Sequence, residues 1–312
     1  MTLATVVLPK HENAPIPDLD IHHVGGRIGA EISNVTLSST LQPSIIAAIR
    51  QALLRHKVIF FRNQTHLTDV EQESFGRLLG DLVPHPTVPS LEGTQAILEL
   101  DGARGERASS WHTDVTFRAA YPKISILRGH VVPERGGDTT WSNTETAYEE
   151  LPEVFRDFID KLWAVHSNEY DYVGDRGGNI PESAIKRYKQ IFTSTVYEAE
   201  HPLVHVHSET GKRSLIIGHF VKRITGFGTA DSQRIISILH DHATRPENTV
   251  RWRWSVGDVA IWDNRATLHR AVDDYDDQPR IVRRTTIAGE VPVSVDGQRS
   301  RERVQGSPSI AA

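Results

Sequence analysis

Three residues of this chain have the chemistry needed to hold a reactive metal ion. His112 and Asp114 are two positions apart, and His269 lies far downstream. If the first segment is extended, the side chains of His112 and Asp114 point the same way, so one strand end can supply two ligands. Two imidazoles and one carboxylate suit Fe(II) with open coordination positions and do not form a closed structural zinc site. The set therefore predicts an iron centre for oxidative chemistry.

Other histidines offer an alternative metal site. A His-x-Asp triplet is a weak motif by itself in a chain with 16 histidines. His205 and His207 alternate on an apparent strand and could bind a metal in the manner of a cupin, and the competing interpretation is a hairpin with surface histidines. His85 lies between two prolines, so a rigid loop could present it to a ligand.

Two arginines downstream of His269 predict a site for an anion. Arg280, Val282 and Arg284 share parity, so they face one side of a strand. Two arginines on one inward face are costly unless an anion meets them, and arginine suits a carboxylate or a sulfate. The alternative is a surface ladder that pairs with the acidic run at residues 273–277.

Composition excludes several classes of function. The 312 residues, 38% hydrophobic and 24% charged, are typical of a globular enzyme with one large domain or two small ones. A formal net charge of −5 does not favour a nucleic-acid surface, and the absence of cysteine excludes disulfides, iron–sulfur clusters and thiolate zinc sites. No apolar run is long enough to cross a bilayer and the N-terminus does not resemble a signal peptide, so we expect a cytoplasmic protein without a membrane partner.

Strand patterns predominate in the second half of the chain, and helix patterns are concentrated in the first half. Five segments rich in β-branched and aromatic residues predict strands, at Lys57–Arg62, Lys123–Val132, Thr249–Trp254, Gly257–Trp262 and Arg280–Ala288. Helical spacing predicts helices around residues 45–53, 68–79, 143–148, 152–162 and 235–242, and Thr68 with Glu71 forms a capping box. The distribution favours a mostly β protein with flanking helices around a double-stranded β-helix, a jelly roll of the cupin kind.

We expect one jelly-roll domain over residues 20–297. Residues 1–19, with three prolines, predict a flexible N-terminal arm, and residues 298–312 predict a polar C-terminal tail that frays. The glycine-rich segment Tyr170–Pro181 predicts a long loop. Because long loops over a barrel mouth are often lids, we place a lid at about residues 168–185.

Four stretches carry a resemblance to a known family, namely Trp111–Phe117, Gly136–Trp141, Trp262–His269 and Arg280–Arg284. Together they resemble the taurine dioxygenase family of Fe(II)/2-oxoglutarate oxygenases, and the likeness extends from about Gly25 to Arg301. Within the family the chain is most similar to bacterial alkylsulfatases. The further similar stretches are Arg55–Arg62, His166–Tyr172, Phe192–Tyr197, Gly218–Arg223 and Val250–Trp254.

The resemblance implies roles for the residues of the predicted iron centre and for its co-substrate. The two histidines and the aspartate would ligate Fe(II), and 2-oxoglutarate and O2 would be consumed. Arg284, helped by the Thr139 hydroxyl, would pair with the distal carboxylate of 2-oxoglutarate. Arg280 would lie near the chelating carboxylate.

The resemblance also implies a set of substrate contacts. His85 and the Val115 backbone match positions that meet a sulfonate or sulfate group, and Phe117 is a further contact. Ala108 and Val88 stand where taurine enzymes carry Asn and Tyr, which are expected to meet the amine of taurine. Apolar replacements leave an ammonium group without partners and favour an uncharged alkyl chain.

The activity that the resemblance implies is alkyl sulfate ester oxidation in sulfur metabolism. Hydroxylation of the carbon next to the sulfate oxygen would release an aldehyde and inorganic sulfate, together with succinate and CO2. One alternative is the same oxygenase acting on an alkyl sulfonate, taurine or another acid. Another is a non-redox cupin-like metal-binding module. Family members are commonly dimers or tetramers, so we expect a homo-oligomer with a small organosulfur substrate and no nucleic-acid partner.

Overall fold

The protein is represented by a computed structural model, which describes residue 16, residues 18–169 and residues 182–303. The helices in these ranges are α1 (Pro43–His56), α2 (Asp69–Arg77), α3 (Thr144–Glu149), α4 (Glu153–Ile159), α5 (Glu182–Phe192) and α6 (Thr229–Ala243). The strands are β1 (Ile21–His23), β2 (Ala30–Ile32), β3 (Val58–Phe61), β4 (Leu98–Asp101), β5 (Ile124–Val131), β6 (Thr139–Asn143), β7 (Trp163–Ser167), β8 (Glu198–Pro202), β9 (Val204–Val206), β10 (Arg213–Leu215), β11 (Val221–Ile224), β12 (Thr249–Trp252), β13 (Val259–Asp263), β14 (Thr267–Ala271), β15 (Ile281–Ile287), β16 (Val293–Ser294) and β17 (Arg301–Arg303).

Local sequence determines where several of these elements begin. The Thr68 hydroxyl accepts from the Glu71 amide while the Glu71 carboxylate accepts from the Thr68 amide, so the predicted capping box starts α2. The Asn143 side chain accepts from two amides of the first turn of α3. The five predicted strands correspond to β3, β5, β12, β13 and β15, each with ends within two residues of the expected bounds.

Two facing sheets form the core. The larger sheet has the strand order β1-β2-β3-β13-β5-β15-β4, and a three-stranded sheet has the order β12-β6-β14. One face of the larger sheet packs against the smaller one through aromatic residues such as Phe60, Trp141, Trp252 and Trp262. The described strand pairs are antiparallel except β2 with β3. This sandwich confirms the mostly β, jelly-roll core with flanking helices that the sequence predicts.

Helices cover the outer face of the larger sheet. Residues of opposite parity, such as Ile59, Phe61 and Ile261, pack there against Ile49 of α1 and Phe75 of α2. Strands buried on both faces explain why β3 and β13 are continuous apolar runs. None of the helices in the described part of the chain has the length and apolar character needed to cross a bilayer.

Two further sheets lie beside the sandwich. Their strand orders are β11-β7-β8-β17 and β10-β9-β16. The apolar cluster that joins them to α3, α4 and α6 includes Leu203, Leu215, Ile224 and Leu239. These elements contact the segment at residues 111–121, which lies between β4 and β5 and carries part of the candidate site.

The expected domain ends need two corrections. Arg301–Arg303 pair with β8 and Ser300 is buried, so the segment 298–303 belongs to the folded unit and is not a fraying tail. The polar side chains of this segment led to the prediction of a tail, but they make specific contacts, such as the ion pair between Arg301 and Glu200. At the other end, Ile16 of the predicted arm is buried in the core. Most of the predicted lid, residues 170–181, lies outside the described residues, and residues 182–185 form the first turn of α5.

Candidate metal centre

Backbone pairing places the two candidate histidines side by side. The His112 amide donates to the His269 carbonyl at 3.0 Å, and the His269 amide donates to the His112 carbonyl at 2.8 Å. Residues that exchange both hydrogen bonds in this way project their side chains to the same face. The two imidazole centroids are accordingly 4.2 Å apart. His269 lies within β14, whose neighbour β6 aligns Trp141 with it at the inner face.

Asp114 reaches the same face from a turn and does not continue an extended strand. Its amide donates to the Asn264 side-chain oxygen at 3.0 Å, and the Asn264 amide group donates back to the Asp114 carbonyl at 3.1 Å. The Ser125 hydroxyl donates to Oδ2 of Asp114 at 2.8 Å. Oδ1 lies 3.7 Å from Nε2 of His112 and 3.7 Å from Nε2 of His269.

This geometry fits a metal ion. One ligand atom from each of the three residues lies within 4.8 Å of the other two, and all three side chains are buried. Nδ1 of His112 lies 2.8 Å from the Ser110 carbonyl, to which it donates, so Nε2 is left unprotonated and able to bind a metal. Among the described residues, no other group of three or more His, Cys, Asp or Glu side chains forms such a cluster.

The protonation states also suit metal binding. Burial lowers the pKa of His112 to about 4 and holds the pKa of His269 well below its usual value, so both rings are neutral at physiological pH. Burial opposes ionisation of Asp114, but the nearby Arg284 guanidinium, with the two histidines, holds the pKa of that carboxyl below its usual range. Two neutral imidazoles and a carboxylate are the ligand forms that Fe(II) requires.

The alternative histidine pair is already engaged in protein contacts. Nε2 of His205 lies 2.7 Å from the Arg265 carbonyl, and Nε2 of His207 lies 2.9 Å from the Asp263 carboxylate. Both histidines lie on the hairpin formed by β9 and β10, but they are buried and not at the surface. Because Asp263 also pairs with Arg265, this group is an internally satisfied polar network and not a metal site.

A cavity is lined by both candidate histidines and by the predicted arginines. Its lining includes His112, His269, Thr139, Arg280, Arg284 and Ala108, with Leu100, Glu106, Leu127, Trp262, Ala271 and Val282. The last six were missed by the sequence reasoning. For Val282 the signal was available, since it has the same strand parity as the two arginines. Leu127 of β5 lies opposite Arg284 of β15, and sequence alone does not reveal this strand pairing.

Arg280 is a buried cation at one end of this cavity. Its guanidinium donates to the Gly137 carbonyl at 2.8 Å and lies 3.4 Å from the Thr139 hydroxyl, both neutral groups. Burial lowers its pKa. Gly137 has a φ of 68°, and a Cβ there would lie 3.0 Å from the Arg280 side chain, so the glycine makes room for it. A buried guanidinium whose hydrogen-bond partners are neutral favours binding of an anion.

Arg284 lies at the metal end of the cavity and donates to Oδ1 of Asp114. The Thr139 hydroxyl lies beside Arg280, whereas the roles expected from the sequence pair it with Arg284. The acidic run pairs elsewhere, with Asp273 on Arg107 and Asp274 on Arg251, which excludes the surface-ladder alternative.

The remaining predicted residues form an apolar cluster next to the centre. Val115 and Phe117 are buried in it together with Tyr121, Tyr188, Phe192, Ile216 and Phe220, and Val88 and Ala108 pack against it. The Phe220 ring contacts His112 with centroids 6.0 Å apart. Nδ1 of His85 accepts from the Val88 amide at 3.1 Å, and burial, with Arg284 nearby, lowers the pKa of His85 to about 3. The neutral ring therefore has Nε2–H available as a donor.

Comparison with known proteins agrees with this arrangement. The family described as "Taurine catabolism dioxygenase TauD, TfdA family" matches residues 20–286. The chain is 62% identical to the alpha-ketoglutarate-dependent sulfate ester dioxygenase of Pseudomonas putida, over 93% of this chain and 96% of that protein. It is 58% identical to the alkylsulfatase of Acinetobacter baylyi, over 92% and 90%. A crystal structure of a taurine dioxygenase from Burkholderia xenovorans superposes with a TM-score of 0.78 at 38% identity, over 95% of this chain and 98% of that one. The protein belongs to the TauD/TfdA family and is a dioxygenase that depends on Fe(II) and 2-oxoglutarate.

Proposed function

We propose that the protein oxidises alkyl sulfate esters at the carbon next to the sulfate oxygen. The hydroxylated product is a sulfate hemiacetal, which collapses to an aldehyde and inorganic sulfate. One O2 and one 2-oxoglutarate are consumed for each ester, and succinate and CO2 are the co-products. The observation that carries the proposal is a buried His-Asp-His cluster whose histidines line a cavity with two buried arginines and, through His112, contact an apolar cluster.

We assign the iron to His112, Asp114 and His269. The bound ion would supply the activation of O2, while the protein holds the ligands and excludes water from the buried face. Ser125 and Asn264 fix the Asp114 side chain and backbone, respectively. Because these partners are buried, they would keep the carboxylate in place when a metal ion binds.

We assign the distal carboxylate of 2-oxoglutarate to Arg280 and Thr139, a revision of the roles expected from the sequence. Arg280 has neutral hydrogen-bond partners and lies at the far end of the cavity from Asp114, while Leu100, Leu127 and Val282 line the cavity. These apolar side chains suit the methylene groups of the diacid. The opposite end of the diacid would then reach the metal.

We assign the sulfate group of the substrate to Arg284, His85 and the Val115 amide. Arg284 donates to Asp114, which would also hold a divalent metal ion. Because the guanidinium and the metal ion repel each other, an anion bound beside Arg284 would be stabilising. Arg284 also lowers the pKa of His85, so these two side chains are electrostatic neighbours. A guanidinium, a neutral imidazole N–H and a backbone amide are all donors, which suits a sulfate with only acceptor oxygens.

The alkyl chain would contact the apolar cluster around Phe117 and Phe192. Ala108 and Val88 pack against this cluster and offer no group that could pair with the amine of taurine. Uncharged walls therefore favour an alkyl sulfate over taurine. The names of the two relatives from Pseudomonas putida and Acinetobacter baylyi support a sulfate ester as the substrate class.

A substrate panel tests the proposal. The purified protein is supplied with Fe(II), 2-oxoglutarate and O2, and either linear alkyl sulfates, alkyl sulfonates or taurine. We expect succinate, aldehyde and sulfate in equal amounts from the alkyl sulfates. Release of sulfite from the sulfonates, without sulfate from the esters, would replace the proposal with a sulfonate oxygenase.

We also propose that the enzyme is cytoplasmic and forms a homo-oligomer, a dimer or a tetramer, as the family resemblance implies. Light scattering coupled to size-exclusion chromatography measures the assembly. A mass of about 35 kDa, that of one 34.9 kDa chain, would exclude the oligomer. Fractionation of cells that produce the protein tests the location.

A further inference from the structure

The turn that begins at the second candidate ligand, Asp114, has an unfavourable backbone conformation. Val115 has a φ of 60°, a region that β-branched residues rarely adopt. Such conformations persist where the surrounding structure over-determines them, and they occur often at functional sites. The turn comprises residues 114–119, and it carries both Asp114 and the Val115 amide that we assign to the sulfate group.

Two buried histidines form hydrogen bonds with Thr116 of this turn. Nδ1 of His166 lies 2.9 Å from the Thr116 hydroxyl, and Nε2 of His201 lies 2.7 Å from the Thr116 carbonyl. Because a carbonyl only accepts, Nε2 of His201 must donate, and its Nδ1 is then an acceptor. The Ser300 hydroxyl, 2.8 Å away, donates to that nitrogen. A chain of hydrogen bonds therefore connects Ser300 to the turn.

Glu302, which lies two residues after Ser300, also hydrogen-bonds to the turn. Oε1 of Glu302 accepts from the Ala119 amide at 3.0 Å and from Nε of Arg118 at 2.9 Å. Glu302 lies in β17, which pairs with β8, the strand that contains His201. The segment at residues 300–303 thus supports the turn at two points, at Thr116 through a buried histidine and at Ala119 directly.

We propose that Ser300 and Glu302 are positioning residues that brace the turn at residues 114–119 and so set the place of the sulfate group of the substrate. This inference rests on the proposed function. Both residues lie beyond residue 286, where the match to the family ends, so the brace is a feature of this chain outside the matched region. The polar segment at residues 300–303 would therefore support the active site.

Three variants and one matched control test the brace. Ser300→Ala removes the donor to His201, Glu302→Ala removes the acceptor for Ala119, and the double variant removes both contacts. Arg301→Ala is the control, because Arg301 lies in β17 beside Glu302 but loses only an ion pair with Glu200 of β8 and does not touch the turn. Ser300→Thr retains the hydroxyl and should behave as wild type.

We expect the double variant to show faster amide hydrogen exchange at residues 115–119 in the metal-free protein, measured by mass spectrometry. With Fe(II) and 2-oxoglutarate we expect the KM for an alkyl sulfate to rise about tenfold while kcat changes less. More 2-oxoglutarate should also be consumed per sulfate released. Exchange or KM values equal to those of wild type, or equal changes in Arg301→Ala, would overturn the proposal. Failure of wild type to release sulfate would instead refute the proposed substrate, and the exchange comparison would still decide whether the brace exists.

Discussion

The assignment of the two arginines can be tested by neutralising each of them in turn. In Arg280→Gln the positive charge beside Thr139 is lost, and the distal carboxylate of 2-oxoglutarate would lie in a buried cavity without a cation. In Arg284→Gln the same charge is lost at the metal end, beside Asp114. Since both side chains are buried to a similar degree, 5% and 6% exposed, the pair is well matched.

The size of the effect follows from the burial of Arg280. Truncating one partner of a buried, hydrogen-bonded charge pair costs about 2–5 kcal/mol, which corresponds to roughly 30-fold to several thousand-fold in affinity. We therefore expect Arg280→Gln to weaken 2-oxoglutarate binding by at least about 30-fold. Arg284→Gln should weaken it less, and should mainly raise the KM for the alkyl sulfate.

The assay is an anaerobic titration of the Fe(II)-loaded protein with 2-oxoglutarate, followed by the visible charge-transfer band of the complex. Iron binding is measured separately for each variant, so that loss of the band through loss of metal is recognised. If Arg284→Gln weakens 2-oxoglutarate binding more than Arg280→Gln does, the reasoning from Thr139 is refuted, and Arg284 holds the distal carboxylate.

Four further outcomes are expected. Asp114→Ala should abolish stoichiometric Co(II) binding, measured by calorimetry, whereas His240→Ala on α6 should bind as wild type; retained binding in Asp114→Ala would refute the metal assignment. Ala108→Asn places a polar group against the apolar cluster and should lower kcat/KM for a long alkyl sulfate by about tenfold, since an unpaired amide costs 1–3 kcal/mol; an unchanged kcat/KM would exclude Ala108 from the substrate wall. Thr68→Ala should reduce the free energy of unfolding by about 1 kcal/mol in a urea titration, through loss of the α2 cap. Burial lowers the pKa of His201 and of His205 from 6.5 to about 4, so the unfolded state binds their protons first; stability should be complete above pH 6.5 and fall between pH 6.5 and 4, by about 1.4 kcal/mol per pH unit for each histidine, and a flat profile over that range would contradict their burial.

Much of the fold could be predicted because local patterns and burial agree. The Thr68 capping box, the Asn143 cap and the apolar run of β3 each encode an element without reference to distant residues. The parity of Arg280, Val282 and Arg284 likewise predicts one inward face, and all three are buried. Short-range periodicity is sufficient in these cases because the relevant contact lies within one helix turn or one strand.

Errors arose where the deciding contact is long-range. The Gln298–Arg303 segment is polar and was expected to fray, yet it pairs with β8 and contacts His201. The Thr139 hydroxyl was expected beside Arg284 but lies beside Arg280, because spacing along the chain does not reveal which arginine faces β6. His205 and His207 remained a competing metal site until their contacts with Arg265 and Asp263 were visible.

The sequence by itself determined the types of ligand, the inward parity of the arginines and the jelly-roll class, since residue chemistry and strand period are local properties. The tertiary structure decided which groups meet. The exchange of hydrogen bonds between His112 and His269, across more than 150 positions, and the placement of Arg280 beside Thr139 both depend on strand register. Register is set by the packing of whole sheets, and no window of neighbouring residues contains that information.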